Sequence, residues 1–304
     1  MSDMTVAVPP ARAPLRRERS WPLSSVLLAV PVALVLLAFV VAPLLSVVVV
    51  SVFHYDNFAV IPAFTLENYA SVLGSSLTLS LYLTMIKLAL QTWAVTLVIG
   101  FSVAYFLVFH VRSKLIAIGL FLVCTVPFWT SNIIRMISWL PLLGKQGVIN
   151  QTLLAVGLIH QPLQFLLYSD FSVVIAYVHL FTIFMIVPIF NAMSRIDPAL
   201  FEAAVDAGAS RLQTMRLVVL PLTKNGIVLG SVFVLTLVMG DFYVVKIMSG
   251  GGAASVVSAM VDDISTLLFP HAAASAVVLL VVLTGLIASL MRLVDIRREL
   301  VGER

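Results

Sequence analysis

Two sets of polar residues interrupt an otherwise apolar chain, and their spacing bears on recognition more than on bond chemistry. The first is Glu202-Ala203-Ala204-Val205-Asp206-Ala207-Gly208, followed by Leu220-Pro221. Ala203 with Ala207 and Ala204 with Gly208 are i,i+4 pairs on adjoining helical stripes, so one face carries little side-chain bulk and admits another protein's surface. Glu202 is placed to bond that partner or its own loop. The second set lies inside apolar runs: Lys87, Asn132 with Arg135 and Trp139, and Asp241 with Tyr243. An unpaired carboxylate in hydrocarbon costs roughly 2.5 kcal/mol or more, so Asp241 must face a partner or a conduit and not lipid. In one reading it gives negative character to a pathway for organic cations, with the ring of Tyr243 or Trp139 offered to an ammonium group. In the other it is tied to Lys246 or Arg135, leaving room for an anionic cargo. Lys246 stands five residues on, off the i,i+3 and i,i+4 positions that meet on one face, which favours the cation reading. Arg135 either lines the pathway or snorkels to the interface.

No catalytic constellation is present. His54 and His179 have no second His, Cys or carboxylate at ligand spacing, so no metal site is expected. Cys124 is the only cysteine, which excludes an internal disulfide and a thiolate cluster. Met185, Met193 and Met239 read as gap-filling core residues.

Local signals put the first set on helices. Asp197 stands at an N-cap, and Pro198 takes the first helical position, where its missing N–H costs nothing. Gly208 suits the helix end because it adopts φ > 0 without strain. Ser210 and Gln213 form an S-x-x-Q capping box that opens a second helix, which runs through Arg211 and Arg216 to a kink at Pro221.

With 61% hydrophobic and 11% charged residues, the chain is an integral membrane protein; soluble domains carry about 25% charged residues. The expected fold is all-α and polytopic, with six transmembrane helices and both termini cytoplasmic. Residues 1–25 read as a disordered basic cytoplasmic tail, 26–294 as the transmembrane domain and 295–304 as a cytoplasmic tail. Val26 to Val52 is the first crossing, with bends at Pro31 and Pro43, and His54 to Ser76 is an acidic outside segment. Leu77 to Phe109 is longer than one crossing needs, with the spanning part nearer Ala89 to Phe109 and an amphipathic lead-in. Leu115 to Trp139 returns, Leu140 to Asp170 lies outside with one short interfacial helix, and Phe171 to Met193 crosses inward. A cytosolic loop runs from Arg195 to Gly226. Ile227 to Met248 then crosses outward with Gly240-Asp241 inside it, Gly250 to His271 is outside, and Ala272 to Met291 returns.

The basic residues test this topology. Arg12, Arg16, Arg17, Arg19, Arg112, Lys114, Arg195, Arg211, Arg216, Lys224, Arg292, Arg297, Arg298 and Arg304 fall inside, fourteen of eighteen, and only Lys145 lies clearly outside. The net charge of +4 therefore reports topology, and the absence of aromatic interleaving argues against nucleic acid.

The loop resembles that of the EAA-loop permease subunits of binding-protein-dependent ABC importers. Their pattern is EAA, three residues, Gly, nine residues, Ile, any residue, Leu-Pro, matched here throughout with Val218 for the isoleucine. Pro127-Phe128, Arg135 with Trp139, Gly147 with Asn150, Gly157, Pro162, Pro188, Asp197 and Gly240-Asp241-Phe242 are similar to the spermidine/putrescine-type branch. The chain departs from that branch at Val244-Val245-Lys246-Ile247, where a proline-containing stretch is usual. The resemblance implies a type I importer in the bacterial inner membrane, with this chain as half of the pathway. It implies a second related permease, two copies of an ATP-binding subunit and an extracytoplasmic solute-binding protein. Glu202, Ala203, Ala204, Asp206, Gly208, Leu220 and Pro221 would couple to the ATPase. No phosphate-binding loop is present, since Gly144-Lys145 lacks the upstream glycine, so no cofactor is expected in this chain and ATP and Mg belong to the partner. Two other classes were weighed against this. An ion-coupled secondary carrier could use Lys87, Arg135 and Asp241, but a second copy of the Gly240-Asp241 segment is missing. A structural membrane subunit leaves the EAA spacing unexplained.

Overall fold

The computed structural model describes residues 23–56, 59–111, 113–251 and 255–292. Arg12, Arg16, Arg17, Arg19, Arg112, Arg297, Arg298 and Arg304 lie outside the described residues, as do the expected C-terminal tail and all but the last three residues of the expected N-terminal one.

The chain divides into two compact units, residues 1–46 and 47–304. The first holds helix α1 (Leu23–Leu36), a π turn over Leu37–Val41, and the start of α2 (Ala42–Val50). The π turn has a local cause. Pro43 cannot donate and its ring crowds the carbonyl four residues back, so the helix widens and the Ala42 N–H reaches Leu37 O instead. Pro31 remains within α1.

In the second unit, strand β1 (Phe53–Asp56) pairs antiparallel with β2 (Ala59–Phe64), Tyr55 opposite Val60 and Asp56 opposite Ala59. Among the described residues this hairpin is the one exception to a mostly helical chain, in keeping with the all-α expectation. Tyr55, Val60 and Ile61 are residues that suit a pleated surface, and the acidic outside segment therefore contains a hairpin. Asn68 of α3 (Glu67–Gly74) fastens it, donating from Nδ2 to Ser51 O at 3.0 Å and Phe53 O at 2.9 Å.

Helix α4 (Ser76–Phe109) is continuous over 34 residues, about 51 Å against a hydrocarbon core of about 30 Å. Its first turns bury one face through Tyr82, Met85 and Leu88, so the lead-in is helical and unbroken. Lys87 Nζ donates to Asp170 Oδ2 at 2.7 Å, which gives that ammonium a counter-charge.

The next crossing is not straight. α5 (Lys114–Thr125) passes through a 3-10 turn at Val126–Trp129, the chain turns extended at Thr130, and α6 (Asn132–Ile137) restarts. Leu115–Trp129 and Asn132–Ala155 are bent by 93°, which corrects the single crossing expected from Leu115 to Trp139. Pro127 removes a donor at the point of the break. α7 (Leu140–Leu143) and α8 (Val148–Ala155) follow, the latter matching the short helix expected there. α9 (Asp170–Met193) opens on a Ser169/Ser172 capping box. The loop carries α10 (Ala199–Asp206), α11 (Arg211–Thr214), a second π turn over Met215–Val219, and α12 (Leu220–Leu222). Here too the π turn ends one residue before the residue preceding a proline, with Leu220 N–H on Met215 O ahead of Pro221. The kink expected at Pro221 falls two residues later, at Thr223, where α13 (Lys224–Met239) departs at 65°.

α13 stops at Gly240 and α14 (Tyr243–Met248) restarts, correcting the unbroken crossing expected from Ile227 to Met248. α15 (Val256–Ser265) precedes α16 (Phe269–Met291), which begins early enough to include His271, expected in the loop. His271 Nδ1 lies 2.7 Å from Asp263 Oδ2. Among the described residues four helices are long and apolar enough to cross a bilayer, and the two bent pairs bring the number to as many as six.

The core is the triangle of α4, α9 and α13. Met185 of α9, fully buried, is gripped by two glycines: a Cβ on Gly100 would fall 2.7 Å from Met185 Cγ, and one on Gly230 2.7 Å from its Sδ. Small residues at such crossings let helices approach in lipid, where no hydrophobic drive brings them together. Interhelical hydrogen bonds add to this, from Trp93 Nε1 to Ser231 Oγ at 2.8 Å and from Tyr82 Oη to Ser275 O at 2.9 Å. Met193 and Met239 are also fully buried, as expected of gap-fillers.

Candidate functional site

Helix α10 is built as its sequence dictates. Asp197 Oδ1 accepts from Ala199 N–H at 2.9 Å, closing the helix start. At the other end Gly208 N–H bonds Val205 O and Ala209 N–H bonds Ala204 O, with Gly208 at φ +77°. That pair of bonds with a left-handed glycine is a Schellman ending. The Ser210/Gln213 capping box forms with both of its bonds. Glu202, Ala203, Asp206 and Gly208 are exposed, Ala204 is half-buried, and Val205 is 67% exposed. Leu220 and Pro221 are exposed as well. The inner side is held by Phe201, whose ring packs on Phe109 at the end of α4, centroids 4.8 Å apart. Phe201 was missed in the sequence, where an aromatic beside an alanine run gives no sign of its partner. The result is a short helix with one anchored side and one open side.

The second set converges only in part. Asn132, Asp241 and Tyr243 line one cavity of about 360 Å³, with Ser131, Leu180 and Val244. Asp241 lies in the break between α13 and α14, not inside an apolar helix. Its Oδ1 accepts from Val244 N–H at 2.8 Å and from Tyr177 Oη at 3.3 Å. Among the described residues it makes no ion pair with Lys246 or Arg135, so that reading is corrected. Both hydrogen bonds fall on one oxygen, Oδ1. Tyr177 was not foreseen: it stands 64 residues from Asp241 inside an apolar run.

Arg135 and Trp139 stand beside the cavity and do not line it. Arg135 is 6% exposed, so it does not snorkel. Its Nη2 donates to Asn132 Oδ1, and its Nε has no partner among the described residues. Trp139 Nε1 donates to His179 Nδ1 at 3.0 Å, rings edge-on, so His179 is a packed histidine as expected. Asn150 proves to be a staple: fully buried, it bonds Gly144 O at 3.0 Å and Leu163 O at 3.2 Å, and accepts from Leu163 N–H at 2.7 Å. Groups of His, Cys, Asp and Glu suited to a metal ion are absent among the described residues.

Long apolar helices, with a broken span and a cavity at the break, mark a polytopic membrane protein. The chain is 35% identical over 216 residues to the spermidine/putrescine transport system permease protein PotB of Salmonella typhimurium, covering 71% of this chain and 74% of that one. It is 29% identical over 210 residues to the inner membrane ABC transporter permease protein YdcU of Escherichia coli, covering 64% and 66%. A bacterial alginate ABC transporter, solved in complex with an alginate pentasaccharide-bound periplasmic protein, superposes with a TM-score of 0.65 at 17% identity, covering 90% of this chain and 94% of that one. No family model matches the chain. The chain belongs to the permease subunits of binding-protein-dependent ABC importers, in the spermidine/putrescine branch, and is a multi-pass inner-membrane protein. A second span is broken, at Thr130, without a copy of the Gly240-Asp241 segment; the relatives, and not the number of breaks, separate an importer permease from a secondary carrier.

Proposed function

We propose that this chain forms half of the pathway of a type I importer for small organic polycations of the spermidine and putrescine kind. The observation that carries the cargo class is Asp241, which lines a cavity together with Asn132 and Tyr243. A carboxylate beside an aromatic face suits an ammonium group. The relatives' names support the same class. Six crossings with both termini cytoplasmic follow when each bent pair counts once and the basic residues mark the inside. Residues 26–294 then form the membrane domain, between a basic tail at 1–25 and a short tail at 295–304. The open side of α10, with Glu202, Ala203, Ala204, Asp206 and Gly208, docks on an ATP-binding subunit, and Leu220-Pro221 set the return into α13. ATP and Mg are held by that subunit. A second related permease completes the pathway, and an extracytoplasmic binding protein of the kind seen with the alginate transporter delivers cargo.

One observation favours an anionic cargo instead: Arg135 is buried with no carboxylate partner among the described residues. Asp241→Asn in the complete importer separates the two. Assembly and binding-protein-stimulated ATPase activity should survive while polyamine uptake falls. Unchanged polyamine uptake, or a cognate binding protein that holds only anions, overturns the cation assignment.

A further inference from the structure

Three cavities follow one stripe of α9. The Asp241 cavity, about 360 Å³, touches that helix at Leu180. The next, about 260 Å³, touches it at Ile183, Phe184, Val187 and Pro188. A third, about 760 Å³, takes over at Pro188 and continues along Asn191 and Ala192, with Arg195 just past the helix end. Steps of three and four residues keep these α9 positions on one helical face. α13 gives the same order in reverse: Asn225, Leu229 and Val232 border the third cavity, Phe233 the second, and Asp241, just past its end, the first. The broken span agrees, with Phe128 before the break on the second cavity and Asn132 after it on the first. Three elements thus give one row of cavities, here called the trough; the second and third share Pro188, and the first and second share no lining residue.

Its ends are polar and its middle is not. Asp241 and Asn132 stand at one end; Asn191, Arg195, Asp197 and Asn225 stand at the other. Between them the wall is aliphatic and aromatic, and its one hydroxyl, that of Thr125, is turned onto Leu122 O at 2.7 Å. Phe184 sits edge-on to Phe128 at 5.6 Å and lies 6.3 Å from Phe233. The ring series continues through Phe181 to Tyr177, the residue that bonds Asp241. On α9 itself the stripe is polar only at Asn191, near its end; the polar side chains at the other end are Asn132 and Asp241, which stand at the breaks in their own spans.

We propose that this trough is the transport lane on this chain's side, and that Phe128, Phe184 and Phe233 form an aromatic gate at its middle that passes methylene-spaced amines and stops hydrated inorganic ions. The proposal rests on the importer reading above and adds a selectivity element to it. Ring faces hold an ammonium group, the same rings pack against methylenes, and an apolar constriction excludes ions that keep their water shell. A polyamine presents charge and hydrocarbon in alternation, so it crosses where sodium does not.

The test uses the complete importer in proteoliposomes. Phe184→Leu keeps apolar bulk and removes the ring; polyamine uptake should fall about tenfold, with ATPase stimulation and assembly intact, and Phe184→Tyr should restore it. Phe184→Ser should admit sodium during turnover. Independently of cargo, Phe184→Cys in a Cys124→Ser background should react with a membrane-impermeant cationic methanethiosulfonate in the vanadate-trapped complex and not at rest. Wild-type uptake in Phe184→Leu, or a thiol at 184 that never reacts in any state, overturns the gate. If the wild-type complex moves no amine, the cargo class and the amine selectivity both fall, and labelling at 184 alone decides whether the lane exists.

Discussion

Asp241 shows how a single carboxylate is made tolerable in a membrane protein. It is not buried in a helix against lipid; it caps the restart of a broken one, taking the Val244 N–H, and borrows a phenol from α9. Tyr177→Phe removes that phenol at nearly constant volume. A hydrogen bond to a charged group contributes about 1.5–3 kcal/mol, so the purified complex should melt earlier, and the KM for polyamine should change while basal ATPase activity holds. An unchanged KM and melting temperature would show that the 3.3 Å contact carries little. Asn150 makes a cleaner stability case, because all of its bonds go to backbone of the segment between α7 and α9. Asn150→Leu keeps the bulk and orphans those groups, at about 1–3 kcal/mol; thermal unfolding followed by tryptophan fluorescence should register the loss.

Helix α10, proposed above to dock the ATP-binding subunit, is an element whose ends matter more than its middle. Gly208 has open space around its Cα but sits at φ +77°. A β-branched side chain there is strained by about 1–2 kcal/mol, and the strain falls on the turn that aims α10. Gly208→Val should therefore lose co-purifying ATPase subunit and transport, while Gly208→Asn, which tolerates the left-handed region, should retain both. Equal retention by the two variants would separate the glycine from coupling. The two π turns make the same point. Each ends just ahead of an X-Pro pair, Ala42-Pro43 and Leu220-Pro221, because the helix widens where the ring would strike a carbonyl. Pro221→Ala should let the turn revert to α geometry, rotating α10 and α11 by roughly 100° against α13, and uncouple ATP hydrolysis from uptake with the subunits still bound.

The triangle of α4, α9 and α13 is the frame that sets both the trough and the loop. One of its tight crossings is at Met185, between Gly100 and Gly230. Gly230→Leu should prevent folding, and Met185→Ala in the same chain should recover only part of the yield, since it removes the 2.7 Å contact with Met185 Sδ but not the 3.2 Å contact with Met185 Cα; detergent-soluble, monodisperse protein is the readout. On the function proposed above, the frame supplies one transport lane and one docking helix, half of what a two-ATPase importer requires. A transport-competent assembly of two copies of this chain without a second permease would refute the expected pairing.

Some of this was legible in the residues because its physics is local. The capping box at Ser210/Gln213, the left-handed turn at Gly208 and the helix start at Asp197 depend on groups a few residues apart, and each formed as read. Membrane residence was equally plain from the lengths of the apolar runs. Where helices break was only half visible: Pro127 and Gly240 mark the places, but a proline or glycine states a local preference and not an angle, and the 93° turn comes from packing. The partners of the intramembrane polar groups were not legible at all. Tyr177 with Asp241, Trp139 with His179 and Phe201 with Phe109 join positions tens of residues apart on different helices, and an apolar run carries no mark of which face will meet which neighbour. Tertiary packing alone decided that Arg135 is buried and that three cavities share one stripe of α9, because both follow from the rotation of one helix against another, which the sequence of neither helix contains.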